Sequence, residues 1–354
     1  MLKIFDGQKP MNRRELLRVG TLGLGGLSLS SLLGVKALAK GQPNPLTGKS
    51  VIFLFQQGGP SQHETFAPKP DAPSGVRSVG VVIPTSVPGT HFSGWMPHLA
   101  KLADKVTVVR SLNTENSGQV GALDEIQQQA AEVLLGGGVS AALDLSREDP
   151  RVLARYDTSR YKAGEKWNSV TRGTKGYYNA QAGTIGKLLL QARRLCEAGA
   201  GYVTIHASYA GVWDMHADGN NLNMQDGMDA VGYSFDHAVA AFIEDCEARG
   251  LSDKIMLVCC GEMGRTPKLN KRGGRDHWAK LAPLMIYGGG FDGGRVIGQS
   301  DRMGGEPVTD AFTPRHMIST ILRSVIDPGQ LRLLPNVPKE VTELLDHPPI
   351  TGLG

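Results

Sequence analysis

The chain has 354 residues, 40% hydrophobic and 20% charged, which excludes a disordered or fibrous polypeptide and fits one large α/β domain. Its net charge of +4 comes with no basic block interleaved with aromatics and no zinc-finger or RNP-like pattern, so nucleic acid is not the expected partner. The four cysteines, Cys196, Cys246, Cys259 and Cys260, form no C-x-x-C pair; this argues against a disulfide framework or thiolate site and leaves oxygen and nitrogen to bind any metal.

Residues 1–39 read as an address rather than as part of the fold. Arg13-Arg14 precede Leu16, Leu17 and Arg18, and Val19–Val35 is uncharged and only mildly apolar, diluted by glycine and serine. Ala37-Leu38-Ala39 then has the small-x-small form of a cleavage site. This arrangement resembles a twin-arginine signal, whose export machinery carries folded proteins. The glycine-rich run is short against the roughly 20 residues of a membrane span, although an uncleaved signal would tether the chain. The expected location is therefore exported, periplasmic or otherwise extracytoplasmic, with residues 40–354 as a single domain.

In that domain apolar runs alternate with helical periodicities. Strands are predicted at Ser50–Phe55, Lys105–Val109, Tyr202–Ala207, Ile255–Cys260 and Pro283–Tyr287. Helices are predicted at Met96–Ala103, Lys187–Ala198, Met224–Arg249 and Thr313–Ile326, the second and third stopped by Gly199 and Gly250. Such alternation predicts an α/β fold with a mostly parallel central sheet and helices on both faces. Asp144–Gly176 shows no clear period and reads as an insertion or a lid.

Ligands of open α/β sheets bind beyond the carboxyl ends of the strands, and four predicted strands run into polar loops. Gln56–Phe66 (QQGGPSQHETF) offers Ser61 or Thr65 as a nucleophile in a glycine-rich turn, with Glu64 beside them. A purely structural turn would need only Gly58-Gly59-Pro60, and the loop lacks the Lys-Ser/Thr of a phosphate-binding loop. Arg110–Gln119 follows the next strand. In Ser208–Asp218, Asp214 and His216 stand two residues apart, a spacing that aims both side chains to one side of extended backbone. Gly261–Trp278 (GEMGRTPKLNKRGGRDHW) adds Glu262, Arg265, Asp276, His277 and Trp278. Acids and imidazoles gathered this way suit a divalent ion of the Zn, Mn, Ca or Mg kind, while the planar Arg265 fork suits an oxyanion. Gly288–Gly293 matches G-x-G-x-x-G, but no helix opens after it, so a turn between strands is expected instead of a dinucleotide site. His63, His206 and the remaining histidines, His91, His98, His237, His316 and His347, are read as structural.

The blocks SVIFLFQQGGPSQHETF, GVWDMHAD, GEMGRTPKLN, GGRDHW and GGGFDGGRVIGQSD resemble the exported proteins of domain-of-unknown-function family 1501, within the alkaline phosphatase/sulfatase-like superfamily. The resemblance runs over nearly the whole chain. It implies an alkaline phosphatase-like α/β fold, a one- or two-metal site at the strand ends, and hydrolysis of phosphate or sulfate esters through a Ser, Thr or modified Cys nucleophile. It aligns Asp214 and His216 with the family's W-D-x-H block, Glu262 and Arg265 with E-F-G-R-T-P, and Asp276, His277 and Trp278 with G-G-R-D-H-W. Glu64 stands where Asp is more usual, Met263 replaces Phe, the Cys/Ser-x-Pro-x-Arg pattern of sulfatases is absent, and Asn113–Gln119 lacks an expected histidine. The expectation is an exported metal-dependent hydrolase with Glu64, Asp214, His216, Glu262, Asp276 and His277 as the metal set. Ser61 or Thr65 is the expected nucleophile, unless a water attacks, and Arg265 the anion clamp. The substrate would be an anionic ester, with glycan esters among the forms considered. The rival is a non-catalytic binding or structural protein of the cell envelope on the same fold.

Overall fold

The computed structural model describes residues 2–4, 44–115, 138–161, 172–207, 209 and 211–353. The twin-arginine pair, the cleavage motif and positions 116–119 of the expected Asn113–Gln119 loop lie outside these residues. In chain order the strands are β1 (Leu2–Ile4), β2 (Ser50–Phe55), β3 (Val82–Pro84), β4 (His91–Ser93), β5 (Val106–Leu112), β6 (Tyr202–Ile205), β7 (Ile255–Cys260), β8 (Gly264–Arg265), β9 (His277–Trp278), β10 (Ala282–Gly288) and β11 (Arg295–Ile297). The helices are α1 (Pro97–Lys101), α2 (Gly138–Leu143), α3 (Pro150–Arg155), α4 (Arg172–Glu197), α5 (Met224–Arg249), α6 (Pro314–Val325), α7 (Pro328–Leu331) and α8 (Lys339–Asp346).

Seven strands form one sheet in the order β1-β6-β2-β7-β10-β5-β11. Every neighbouring pair is parallel except those made by β10, which runs antiparallel to both β7 and β5. The fold is therefore α/β with a mostly parallel central sheet flanked by helices. β1 falls inside the stretch assigned to the export signal and pairs with the edge of β6.

The central strands are apolar without alternation because both of their faces are covered. On β2, Ile52 and Leu54 pack into the core beneath α4 and α5, while Val51, Phe53 and Phe55 pack into the core beneath α6 and α8. β7 divides the same way, with Leu257 and Cys259 on one side and Met256, Val258 and Cys260 on the other. All four cysteines are buried free thiols in these cores. No described helix is long and apolar enough to cross a membrane.

The helix α5 is closed at both ends, at its C-terminus by the predicted Gly250. Asn223 caps α5 by accepting the Asp226 N–H at 2.8 Å, and Gly250 closes it in the left-handed region at φ 63°. α4 departs from expectation, since it begins at Arg172 and so takes in the end of the apparently irregular Asp144–Gly176. Its first half is rich in glycine, which has poor helix propensity, and packing overrides that preference. At Gly186 any Cβ would stand 1.9 Å from the Tyr156 carbonyl oxygen, so the glycine is what allows the preceding segment to lie against the helix. The rest of Asp144–Gly176 contains α3 and short 3-10 turns, with 162–171 outside the described residues.

Candidate functional site

β6, β2 and β7 are parallel neighbours, so their carboxyl ends open on the same edge of the sheet. The loops that follow them are drawn together by two glycines. Gly58, at φ 103°, lies where a Cβ would be 2.5 Å from the Asp214 backbone nitrogen, and Gly59, at φ 80°, lies where one would be 2.9 Å from the Met263 carbonyl oxygen. Trp213 N–H donates to the Gln57 carbonyl at 2.9 Å, and Gly58 N–H donates to Glu262 Oε1 at 2.8 Å. The turn after β2 is thus the spacer that sets Asp214 and Glu262 on either side of it.

At the resulting focus, Asp214, His216 and His277 bring one ligand atom each within 4.8 Å of one another. His216 Nδ1 is 2.5 Å and His277 Nε2 3.2 Å from Asp214 Oδ1. The same oxygen receives Arg265 Nη1 at 2.6 Å. Burial alone would push the Asp214 carboxyl up, but the His277 hydrogen bond and the Arg265 charge outweigh it and hold the group far below the usual carboxylate range. Asp214 is therefore anionic at neutral pH. His277 reaches it through the two-stranded ribbon of β8 and β9, in which Arg265 pairs with His277.

The donor set fits a divalent cation. One carboxylate oxygen with two imidazole nitrogens is a usual three-ligand set for zinc and its neighbours. His216 also presents Nε2 to Asp218 Oδ2 at 3.1 Å, the carboxylate backing common to imidazoles that hold metal. Both imidazoles are partly open to solvent, whereas Asp214 is buried.

The other expected metal ligands stand apart from this cluster. Glu64 is completely buried and faces Arg275, whose Nε and Nη2 lie 3.0 Å from Oε2 and Oε1 respectively. It also accepts the Val79 N–H at 3.1 Å and the Ser61 hydroxyl. Burial would raise the Glu64 carboxyl, but Arg275 more than reverses this and keeps it charged. All of its acceptor capacity is directed into the protein. Asp276 is exposed and accepts Asn270 Nδ2 at 3.0 Å. Glu262 is closer in character to a site group: it is buried, its Oε2 has no hydrogen-bond partner among the described residues, and it experiences both the Arg265 and the Asp214 charge. Burial raises its carboxyl to about 7, against the pull of the Gly58 N–H and of Arg265.

The expected nucleophiles and anion clamp are also placed differently. Ser61 and Thr65 are buried, with Ser61 donating to Glu64 and Thr65 donating to the Ser61 carbonyl at 2.7 Å. Both hydroxyl protons are committed to acceptors inside the loop. Arg265 is fully buried, and besides Asp214 it donates from Nε to the Gly59 carbonyl at 2.8 Å and from Nη1 to the Arg275 carbonyl at 3.2 Å. Only Nη2 lacks a partner among the described residues, so the fork is mostly spent inside the protein. His63 is buried, with Nε2 2.9 Å from the Met303 carbonyl. Trp278, itself part of the ribbon, donates from Nε1 to the Gly305 carbonyl at 2.6 Å.

Two positioning residues escaped the sequence reading. Arg275 satisfies Glu64 and the Val76 and Arg77 carbonyls, tying the β2 loop to the ribbon. Asn270, on the loop between β8 and β9, donates to the His216 carbonyl at 2.9 Å. The basic Arg in GGRDHW was the signal available for the first. A lone Asn between Leu269 and Lys271 gave none for the second.

Comparison with known proteins places this chain in a family. The family described as "Protein of unknown function (DUF1501)" matches residues 48–122 and 113–333. No curated protein matches the chain. Among solved structures, a Bacteroides thetaiotaomicron protein titled for the metabolism of multiple glycosaminoglycans is 12% identical, covering 83% of this chain and 74% of its own with a TM-score of 0.37. The PsFucS1 sulfatase from Pseudoalteromonas sp. is 11% identical, over 84% of this chain and 70% of its own, at 0.36. The C-terminal periplasmic domain of Escherichia coli EptC, in complex with zinc, is 12% identical over 78% and 82%, at 0.33. Likenesses this remote leave the chemistry to be argued from the chain's own residues. Because the family matches most of its length, the chain belongs to DUF1501.

Proposed function

We propose that the protein is an exported, metal-dependent hydrolase of phosphate or sulfate esters, including glycan esters. The observation that carries this reading is the convergence of Asp214, His216 and His277 within 4.8 Å at the carboxyl ends of parallel strands. A divalent ion held there would polarise an ester oxygen and acidify water. Asp214 supplies the anionic ligand, His216 is oriented by Asp218, and His277 is aimed by the β8–β9 ribbon. With the Ser61 and Thr65 hydroxyls committed to Glu64 and to the Ser61 carbonyl, water is the attacking group. Glu262 Oε2 is the atom to take its proton, since a carboxyl at about 7 exchanges protons readily at neutral pH. Arg265 Nη2, which has no partner among the described residues, orients an anionic oxygen. The Arg13-Arg14 pair supports delivery by the twin-arginine machinery.

The test is metal analysis of protein purified through its export route, followed by a screen of aryl phosphates and aryl sulfates. The expected outcome is stoichiometric divalent metal, turnover abolished by chelation, and loss of both in Asp214→Ala. Ser61→Ala and Thr65→Ala should keep turnover within about tenfold of wild type if water attacks; losses of 10³-fold or more would return the nucleophile to one of them. A second reading is favoured by one observation, the Arg265 ion pair already seated on Asp214 Oδ1. On that reading Asp214 is a hydrogen-bond hub in a non-catalytic envelope protein. Protein that holds no stoichiometric metal and turns over no ester would support it.

A further inference from the structure

Arg265 and the two imidazoles compete for one atom. Asp214 Oδ1 lies 2.6 Å from Arg265 Nη1, 2.5 Å from His216 Nδ1 and 3.2 Å from His277 Nε2. The guanidinium is fully buried and cannot swing into solvent when a cation arrives. It is pinned by the Gly59 and Arg275 carbonyls through Nε and Nη1, and its own backbone N–H donates to Gln62 Oε1 at 3.0 Å. A cation entering between Asp214 and the imidazoles therefore meets a fixed positive charge on the ligand oxygen itself. Asp214 and Arg265 are themselves buried, so that repulsion is screened far less than it would be at the surface.

The same side chain offers relief of the repulsion. Arg265 Nη2 is buried and has no hydrogen-bond partner among the described residues, and a donor left in that state is costly. An oxyanion that lies against Nη2 while touching the cation would satisfy the donor and offset both positive charges.

Resting on the metal site proposed above, we infer that Arg265 makes divalent metal and tetrahedral oxyanion bind cooperatively, each weak alone and each strengthened by the other. Arg265 acts as a positioning residue that ties metal retention to the presence of an anionic ligand. By linkage, the factor by which the oxyanion raises metal affinity equals the factor by which metal raises oxyanion affinity.

The experiment is calorimetric titration of metal-stripped full-length protein with Zn²⁺, in sodium chloride alone and with inorganic phosphate or sulfate at matched ionic strength. Wild type should bind Zn²⁺ on the order of tenfold more tightly with at least one of the oxyanions, within the usual range of coupling between sites. The response to phosphate and to sulfate separates the two ester classes. Arg265→Gln should bind Zn²⁺ more tightly than wild type in chloride and lose the oxyanion effect. Should that variant fail to fold by circular dichroism, Arg265→Lys carries the decision: a charge without the fork should keep weak binding in chloride and lose most of the coupling. A wild-type Zn²⁺ affinity unchanged by either oxyanion overturns the inference, as does coupling that survives intact in the folded variant. Those results would leave the metal site standing, whereas absence of Zn²⁺ binding under every condition would remove the proposed function as well.

Discussion

Glu64 and Asp214 are both buried carboxylates facing an arginine, yet their surroundings give them different work. Glu64 is matched atom for atom by Arg275 and by backbone and hydroxyl donors, with none of its surface exposed. Asp214 shares a single oxygen among a guanidinium and two half-open imidazoles. Removing one partner of a buried pair strands the other charge, so Glu64→Gln should cost about 3–5 kcal/mol in urea unfolding. Glu64→Gln/Arg275→Met should recover part of that loss, and Zn²⁺ affinity of the folded fraction should stay within a few-fold of wild type. A hundredfold loss of Zn²⁺ affinity in folded Glu64→Gln would put Glu64 back among the ligands. From sequence the two acids look alike, each in a strand-end loop beside a histidine. What separates them is a partner 211 residues away, which no local pattern contains.

The strands and loops that carry these residues were legible to different degrees. β2 and β7 coincide with their predicted runs, because strands covered on both faces leave an unbroken apolar trace. That trace says nothing about direction. β10 is as fully buried as its neighbours, and only pairing reveals it as antiparallel. The G-x-G-x-x-G stretch was legible as a turn: it leads from β10 into β11, both beside β5, with Gly288, Gly289 and Gly290 at positive φ. Gly58 was legible as a turn residue but not as a spacer. Gly58→Ala would be strained at φ 103° and would drive a methyl to 2.5 Å from the Asp214 nitrogen, so the Asp214 loop must give way. We expect roughly 1–3 kcal/mol of lost stability, in line with special-φ strain, together with at least a tenfold loss of Zn²⁺ affinity. Loss of stability with unaltered Zn²⁺ binding would mean the turn does not set the position of Asp214.

Across the whole molecule, the strand-end loops hold two buried groups shifted in opposite directions. Burial, assisted by Arg275, lowers His63 from 6.5 to about 4, against the pull of Glu64 and the Met303 carbonyl. Burial raises Glu262 from 4.5 to about 7. Between about pH 4.5 and 6.5 the unfolded chain holds more protons at the histidine position, so the His63 contribution is complete above 6.5 and is lost as pH falls toward 4. At Glu262 the folded chain holds more, so its contribution is complete below 4.5 and is lost as pH rises toward 7. At about 1.4 kcal/mol per pH unit the two slopes are comparable and nearly cancel. Glu64, paired with Arg275, and Glu148, paired with Arg193 and Arg194 of α4, are both held below the ordinary carboxylate value of 4.5, so they titrate beneath this window and leave it clear. In EDTA, His63→Gln should therefore lose roughly 2 kcal/mol relative to wild type between pH 5 and 6.5, and Glu262→Gln should gain roughly as much. Other histidines contribute equally to each protein and drop out of the comparison. Urea midpoints at the two pH values decide it. Variant curves that run parallel to wild type would show that neither group is held in its shifted state, and would remove Glu262 as the proton acceptor near neutral pH.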